Sequence, residues 1–355
     1  MRIGIIHPYF DVMGGAEMTS LSLIDALLKN KTKIKLYCVK APKISETDFL
    51  QIFQIKQKNF PLFWQYQRLM EIKKIFNAIS NEDFLFIMSG GLTIQESNAK
   101  RTYLYCHSTF SKEIDFAKKE FHGIKAKYSK IIQNNINKSL KILKESRVNL
   151  ISNSNFTKNE IKRNCGKDSF VIYPPVKIEK YKKFQKYDKR EKIVTISRFS
   201  TEKNLDAAIE IFNQINFSCE IIGNAKYKNQ LAVLERLQKK KGENVKIYSN
   251  ISSEEISTLL STAKVYLYTS KETFGISVVE AIAAGCIPIV PDNSAHCETV
   301  PFSELRYKNE KDAKEKISDA INGKFDHFIP RLQEHIQQFS EKNFQDKILG
   351  IIKNS

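Results

Sequence analysis

Two glutamates stand eight residues apart around a glycine turn, in the stretch Glu272-Thr-Phe-Gly-Ile-Ser-Val-Val-Glu280. An extended apolar run, Val265–Thr269, precedes the turn and another, Ile287–Val290, follows it, which predicts strand, loop, helix and strand. In an open parallel sheet, the loop after a strand opens on the ligand crevice, and the amides that begin the next helix form an anion site. A carboxylate beside an anion site is better suited to neutral hydroxyls. The stretch therefore predicts a ligand with both sugar hydroxyls and phosphates.

Two cations, Arg198 and Lys203, follow the predicted strand Lys192–Ile196. An arginine fork and a lysine point charge can together neutralise a diphosphate leaving group. They could equally be a pair of surface cations, and their spacing alone does not decide. Gly223 and Ile251 follow the next two predicted strands, where their loops could offer backbone groups and an apolar wall to a base or could be plain turns.

The first half of the chain offers a glycine pair and a histidine. Gly14 and Gly15 connect the predicted strand Arg2–Ile6 to a helix, where backbone can approach a ligand closely. His107 follows the predicted strand Thr102–Cys106, where it could accept a proton or orient a hydroxyl. An ordinary loop glycine pair and a strand-end histidine with structural partners are the alternatives. The chain contains neither G-x-G-x-x-G nor a Walker A motif.

Composition limits the classes of protein. The 355 residues are 42% hydrophobic, enough for two packed domains. The six cysteines include no C-x-x-C, which argues against a zinc site or a disulfide framework. The sequence begins in strand-like residues without a signal peptide, so we expect a cytoplasmic protein. Residues 1–178 hold 29 Lys and Arg against 15 Asp and Glu, and the net charge is +18. Such a basic half can attract nucleic acid, an anionic membrane or anionic substrates.

Eleven predicted strands alternate mostly with helix-like segments, which is the pattern of parallel βα units. Two sets of them, joined through Pro174-Pro175 and the basic, irregular stretch Lys177–Arg190, predict an α/β protein with two Rossmann-like domains that face each other. The boundaries are expected at 1–178, 179–335 and 336–355, the last segment with an amphipathic helix over Phe339–Ile352. A basic helix over Ile124–Arg147 could dock on an anionic membrane or turn its apolar stripe to the core. The aromatic stretch Phe60–Tyr66 could likewise be an interfacial patch or core.

Taken together, these residues resemble the retaining glycosyltransferases of family 4, a group 1 family with the GT-B fold. The E-x7-E motif from Glu272 to Glu280 and its tail to Gly285 carry most of the resemblance. Supporting segments occur in the same order and spacing: Gly14-Gly15-Ala-Glu17, His107, Asn153-Ser154, Tyr173-Pro-Pro-Val176, Ser197-Arg198 and Glu202-Lys203-Asn204. The resemblance implies two parallel-sheet domains across a cleft, with a C-terminal helix that crosses back to the first domain.

The resemblance also implies a role for each matching residue. Arg198 and Lys203 would bind the donor diphosphate, Glu280 the ribose, and Gly15 would approach the diphosphate and acceptor. His107 would lie near the donor sugar and the reacting centre. Glu272 would hold the donor sugar together with the amides of the turn, and the base would contact two loops, which gives the remaining donor-binding positions Gly14, Gly223, Ile251, Thr273, Phe274, Gly275 and Ile276. His107, Glu272, Arg198 and Lys203 are the expected catalytic residues.

Two positions depart from the family pattern. The family commonly has glycine before the arginine, where this chain has Ser197. Many members carry Gly-Gly-Pro before a later glutamate, where this chain has Asn293-Ser-Ala-His-Cys-Glu298. Glu298 matches the later glutamate, but the donor contacts of this loop cannot be carried over.

The expected reaction is transfer of a hexose, with a preference for mannose, from a GDP- or UDP-linked sugar to a hydroxyl of a glycan or polyprenyl-linked acceptor, with retention. No D-x-D is present, so metal-independent activity without a cofactor is expected. A GT-B epimerase or phosphorylase is the alternative enzyme. A nucleic-acid binder is a remote alternative because the chain lacks an RRM, KH or helix-turn-helix signature. The basic first half suits peripheral contact with the cytoplasmic membrane face.

Overall fold

A computed structural model describes residues 1–57, 64–89, 91–120, 124–145, 148–183 and 191–354 of the chain. The chain divides into two compact units. The first comprises Met1–Pro175 with Lys342–Ser355, and the second comprises Val176–Glu341. The first break follows the Pro174-Pro175 pair, a little before the expected boundary at residue 178, and the chain returns to the first unit at Lys342 rather than at residue 336.

The first unit contains a sheet of seven parallel strands. They are β1 (Arg2–Ile6), β2 (Lys33–Cys38), β3 (Leu50–Gln54), β4 (Phe84–Ile87), β5 (Arg101–Cys106), β6 (Val148–Ser152) and β7 (Phe170–Val171). The spatial order is β3-β2-β1-β4-β5-β6-β7, so the direction of winding changes between β1 and β4. The helices are α1 (Gly15–Lys29), α2 (Trp64–Asn77), α3 (Ser111–Lys118), α4 (Ile124–Glu145) and α5 (Asn155–Cys165).

Alternate residues of each strand supply two hydrophobic layers, because successive side chains of a strand point to opposite faces. Ile87 and Leu104 pack in one layer with Leu143 of α4. Phe86 packs in the other with Leu27 of α1. The apolar stripe of α4 therefore faces the core, which is one of the two expected alternatives, and Lys127, Lys130, Lys138, Lys141 and Lys144 are exposed.

The second unit contains six parallel strands: β8 (Lys192–Ile196), β9 (Cys219–Gly223), β10 (Val245–Ser249), β11 (Ala263–Leu267), β12 (Ile287–Pro291) and β13 (Arg306–Tyr307). Their order is β10-β9-β8-β11-β12-β13. Its helices are α6 (Ile178–Lys182), α7 (Leu205–Phe212), α8 (Lys228–Lys240), α9 (Ser253–Thr262), α10 (Ile276–Ala283), α11 (His296–Thr299), α12 (Glu310–Ile321) and α13 (Ile329–His335). The winding reverses between β8 and β11, and ligands of doubly wound sheets bind at such a switch point.

The last helix, α14 (Glu341–Lys353), packs on the first unit. Its buried residues Phe344, Ile348 and Ile352 join the layer that contains Phe86 and Leu27. Gln345 extends the contact, since its amide donates to Asp25 of α1 across 3.0 Å. A segment distant in sequence thus completes the core of the first unit.

The strand and helix predictions agree closely with these bounds, with three differences. The strands β3 and β13 were not predicted, because both lie at sheet edges and the latter has two residues. Lys177–Arg190 is not irregular throughout, since α6 occupies its start with Ile178 and Tyr181 buried. Residues 58–63 and 184–190 lie outside the described part, and with them most of the Phe60–Tyr66 prediction. No helix in the described part is long and apolar enough to span a bilayer.

Candidate functional site

The turn after β11 places Glu272 beside the cation that follows β8. Lys203 Nζ donates to Glu272 Oε1, and the side chains of both residues are only 16% exposed. Tyr268 also donates its hydroxyl to the same carboxylate oxygen, across 2.5 Å. These two strands are neighbours at the switch point, so the ion pair crosses the place where the sheet topology predicts a ligand.

Hydrogen bonds from the loop after β12 fix the backbone of the turn. The amide of Glu272 donates to Ser294 Oγ across 3.1 Å, and its carbonyl accepts from the amide of Ala295 across 3.1 Å. On the other side, the Asn204 amide group donates to the carbonyl of Thr269, whose hydroxyl donates back to the carbonyl of Asn204. Both the carboxylate and the lysine are therefore held on constrained backbone.

Gly275 immediately precedes helix α10 and occupies a position that favours glycine. Its φ is +93°, in the left-handed region that side chains disfavour. The preceding Phe274 is buried and packs edge-on against Phe339 at 5.1 Å between ring centroids. Thr273 and Ile276 are partly buried on either side. The first amides of α10 lie outside the intrahelical ladder, and the positive end of the helix favours negative charge beside them.

Glu280 lies within α10 and is engaged by the short helix α6. The hydroxyl of Tyr181 is hydrogen-bonded to its carboxyl group. Burial raises the pKa of Glu280 to about 7, against the opposing effects of Tyr181 and Lys180. At neutral pH this carboxyl group is divided between its protonated and ionised forms, so it can both donate to and accept from ligand hydroxyls.

The two predicted phosphate-binding cations have different surroundings. Lys203 is turned inward to Glu272, whereas the side chain of Arg198 is 60% exposed and lies 4.0 Å from Glu202. A surface ion pair at that distance contributes little, so Arg198 can reorient toward an anion at small cost. The structure thus places both cations in the loop after β8 but pairs only Lys203 with the predicted sugar-binding carboxylate.

The loops that contain Gly223 and Ile251 meet at the end of β9. A Cβ atom on Gly223 would lie 2.2 Å from the carbonyl oxygen of Ser197, so glycine is required for strands β8 and β9 to end this close together. The amide of Asn250 donates to the carbonyl of Gly223 across 2.9 Å, which brings the partly buried Ile251 to the same edge. Both predicted base-contacting positions are adjacent to the loop of Arg198.

In the first unit, Gly14 and Gly15 form the start of α1, where the side chain of Glu17 fixes the backbone. Its carboxylate accepts from the amide of Gly14 across 3.0 Å and lies 3.4 Å from His7 Nε2. His7 is completely buried, and its Nδ1 is 2.7 Å from the hydroxyl of Ser20. Burial opposes ionisation of Glu17, but the bond to His7 and backbone amides hold its pKa below the usual value. The glycine pair is therefore anchored by a carboxylate and a histidine.

His107 follows β5 in a partly buried position, with its ring 4.8 Å from that of Tyr105. Burial and the neighbouring His7 lower the pKa of His107 to about 4. The ring is therefore neutral at physiological pH and can orient a hydroxyl, but it does not supply a positive charge. His107, Gly14 and Gly15 belong to the first unit, and the other predicted site residues belong to the second.

Sequence reasoning did not identify four residues around Glu272 and Glu280. Tyr268 and Tyr181 donate to the two carboxyl groups, and Ser294 and His296 hold the turn. The signal for the last two was available in the departure from the Gly-Gly-Pro pattern at Asn293–Glu298. The described residues contain no group of three or more His, Cys, Asp or Glu that could hold a metal ion.

Comparison with known proteins shows what the chain is similar to. Residues 176–342 match the model described as Glycosyl transferases group 1. A GDP-Man:Man(3)GlcNAc(2)-PP-Dol alpha-1,2-mannosyltransferase from Dictyostelium discoideum is 25% identical over 277 residues, which are 69% of this chain and 54% of that protein. The chain therefore spans about half the length of this relative.

Solved structures share the fold over the whole chain. HepE from Anabaena, solved in complex with UDP and glucose, has a TM-score of 0.72 and 14% identity, with 100% of both chains covered. Sucrose-phosphate synthase from Thermosynechococcus elongatus has a TM-score of 0.77 and 16% identity, with 99% of this chain and 98% of that chain covered. The α/β two-domain fold is that of the GT-B glycosyltransferases.

Proposed function

We propose that this chain, which carries a group 1 glycosyltransferase domain at residues 176–342, transfers a hexose from a nucleoside diphosphate sugar to an acceptor hydroxyl, with retention at the anomeric carbon. The observation that carries the proposal is the contact between Lys203 and Glu272 across the β8–β11 switch point, beside the N-terminus of α10. One place thus combines a cation for phosphate, a carboxylate for hydroxyls and a helix dipole.

Departure of the nucleoside diphosphate is the difficult step, because negative charge grows on the leaving phosphate. Lys203, Arg198 and the N-terminus of α10 are the groups that stabilise this charge. In the structure Lys203 is neutralised by Glu272. When the donor binds, a diphosphate oxygen becomes the partner of Lys203, and the carboxylate of Glu272 becomes available to the hydroxyls of the sugar.

Glu280 is assigned to the ribose. It is the fifth residue of α10, eight positions beyond Glu272 in the preceding loop, and burial raises its pKa to about 7. The loops of Gly223 and Ile251 are assigned to the base. A carboxyl group engaged by ribose hydroxyls remains remote from the anomeric carbon, so the two glutamates are not an acid/base pair of the glycosidase kind.

The first unit is assigned to the acceptor. The neutral ring of His107 orients an acceptor hydroxyl, and the Gly14-Gly15 loop, fixed by Glu17, offers its backbone to the acceptor. Mannose is the preferred sugar because the Dictyostelium relative is described as using GDP-mannose and a dolichol-diphosphate-linked glycan. We further propose that the acceptor is a polyprenyl-linked or other glycan. The protein would act in the cytoplasm, with its basic first half in peripheral contact with the membrane.

We propose that the reaction needs neither a metal nor a cofactor. The sequence has no D-x-D to hold a divalent cation on the diphosphate, and protein cations occupy that role. Turnover in excess EDTA is expected to equal turnover in Mg²⁺, and strict loss of turnover in EDTA would contradict this part of the proposal.

The test of the function is acceptor-dependent release of nucleoside diphosphate. Purified full-length chain is supplied with GDP- and UDP-linked hexoses, with and without polyprenyl-diphosphate-linked glycans, and the anomeric configuration of the product is read by NMR. Glycosyl transfer with retention supports the proposal. Acceptor-independent epimerisation or phosphorolysis of a sugar nucleotide would replace it with the alternative enzyme classes, and tight nucleic-acid binding without any of these would remove it.

A further inference from the structure

His296 is a completely buried polar residue at the start of α11 that no step of the reaction above uses. Its Nε2 is 2.9 Å from the carbonyl oxygen of Ser270, a bond in which the ring must donate. That bond fixes the tautomer, because a neutral imidazole has one donor and one acceptor nitrogen. The acceptor nitrogen, Nδ1, has no hydrogen-bond partner among the residues that the structure describes.

The ring lies close to the turn that contains Glu272. It packs edge-on against Tyr268, with ring centroids 5.4 Å apart, and Tyr268 donates to the carboxylate of Glu272. On its other side, the ring is 3.5 Å from where a Cβ atom of Gly275 would stand. Its neighbours Ser294 and Ala295 hold the amide and the carbonyl of Glu272. His296 thus bonds to Ser270 at the start of the turn, packs against Tyr268 and lies close to Gly275 at the end of the turn.

Electrostatics keep this ring neutral. Burial lowers the pKa of His296. Of its ionised neighbours, Glu272 raises this pKa and Lys203 lowers it further. Tyr268, a further titratable group packed against the ring, stays protonated because burial raises its pKa. A neutral ring adds no charge to the pair of Lys203 and Glu272.

A purely structural role of His296 would not explain why its Nδ1 lacks a hydrogen-bond partner among the described residues. An unpartnered buried acceptor lowers stability, and an apolar side chain of similar volume would avoid that cost. The donor nitrogen is the part of the ring that contacts the turn by a hydrogen bond, and only a residue with a donor at that position can replace it.

We infer that His296 is a positioning residue, which holds Glu272 where its carboxylate meets the hydroxyls of the donor sugar by tying the β12 loop to Ser270 and supporting Tyr268. This inference rests on the proposed function. It also explains the departure from Gly-Gly-Pro, since the loop that lacks the family's glycines fixes the turn through a side chain instead.

Two variants separate the hydrogen bond from the volume. His296→Gln keeps an N–H donor near the position of Nε2, and His296→Leu fills the space without a donor. We expect His296→Leu to lower kcat for transfer by about 10-fold or more, as for a misplaced sugar-holding group, with the Kd of the free nucleoside diphosphate within about 2-fold of wild type. His296→Gln should recover most of the lost kcat.

Three outcomes would overturn the inference: a fully active Leu variant, equal losses in the Leu and Gln variants, or a loss of nucleoside diphosphate affinity that parallels the loss of kcat. Thermal unfolding of each variant verifies that it is folded. If the wild-type chain turns over no nucleotide sugar, the proposed function is wrong, and the sugar-positioning role of His296 is wrong with it. If the wild-type chain is active, the variants test the role of His296 alone.

A second readout does not depend on activity. The nitrogen-15 spectrum of the histidine rings, with the His296 signals assigned by their absence from His296→Gln, should show a neutral ring protonated at Nε2 at pH 7. A cationic ring, or one protonated at Nδ1, would contradict the bond to Ser270 on which the inference depends.

Discussion

At the scale of single residues, the main finding is that Lys203 and Glu272 neutralise each other. The two residues are far apart in sequence but follow adjacent strands, and both side chains are largely buried. Such a pair gains from its short contact and is costly to break from one side, because the remaining charge stays buried without a partner. The pair therefore holds each group in a defined position, and in the proposed function the donor would compete for both.

The coupling of this pair can be measured. Lys203→Met is expected to lower the free energy of unfolding by about 1–3 kcal/mol, because it leaves the carboxylate of Glu272 with less compensation. Adding Glu272→Gln should restore part of that loss, with a coupling energy of about 0.5–3 kcal/mol in a urea-unfolding cycle. Lys311→Met, in an exposed pair with Glu315, is the control and should change little. Additive effects at Lys203 and Glu272 would contradict the account.

Glu280 gives the stability a predictable dependence on pH. Its pKa rises from the ordinary 4.5 to about 7 on folding because the carboxyl group is buried. Between these values the folded chain retains a proton that the unfolded chain has released, so this residue's contribution to the free energy of unfolding falls as the pH rises. Glu280→Gln cannot titrate and should flatten this part of the profile in urea unfolding from pH 4.5 to 7. Superimposable profiles would show that the carboxyl group is not buried as described.

The spacing of Glu272 and Glu280 was sufficient to place Glu272 in the loop before a helix and Glu280 inside that helix, since strand, loop and helix are local properties of the sequence. Their partners were not predictable in the same way. Lys203 and Tyr181 reach the two carboxyl groups, and His296 reaches the carbonyl of Ser270, only through the order of strands in the sheet and the packing of α6 and the β12 loop. Long-range contacts of this kind depend on tertiary structure rather than on local pattern.

At the scale of elements, the site depends on how closely strands β8 and β9 end together. The carbonyl of Ser197 occupies the space in which a side chain on Gly223 would begin. The loop of Asn250 is in turn bonded to Gly223, so three loops share one fixed point. The sequence indicated strands at these positions, but it could not show that the glycine is a packing requirement rather than an ordinary turn residue.

Gly223→Ala is therefore expected to displace these loops. The overlap with Ser197 should lower the free energy of unfolding by about 1–3 kcal/mol and weaken nucleotide binding. Gly350→Ala is the matched control, because that glycine lies inside α14 with open space around its Cα. There alanine should raise stability by about 0.5–1 kcal/mol through its better helix propensity. Unfolding in urea and nucleotide titration of both variants decide the comparison, and equal behaviour would contradict it.

At the scale of the whole molecule, the chain forms two units, and its last helix belongs with the first part of the sequence. Helix α14 supplies Phe344, Ile348 and Ile352 to the layer formed by β-strand residues and α1. The amphipathic pattern predicted a helix here. The residues that receive it could not be read from the pattern, because they are distant in the sequence, as Leu27 and Phe86 are from Ile348.

Ile348→Ala tests this packing. Its side chain has no exposed surface, so its truncation should lower the stability of the first unit by about 2–5 kcal/mol. Hydrogen exchange should accelerate in β1 and α1, with little change in the second unit. Asn354→Ala, at an exposed position beyond the helix, should leave exchange unchanged. Uniform acceleration in both units, or none in α1, would contradict the assignment of α14.

The central claim is that the edge of the second sheet around Lys203, Glu272 and Glu280 binds a nucleoside diphosphate sugar. Calorimetric titration of the full chain with GDP- and UDP-linked hexoses in EDTA tests it most directly. We predict saturable one-site binding of at least one donor, weakened about 10-fold or more by Lys203→Ala and by Glu280→Ala, because each removes a charged or strongly hydrogen-bonding group. The absence of binding to every donor, or affinities unchanged in both variants, would contradict the account.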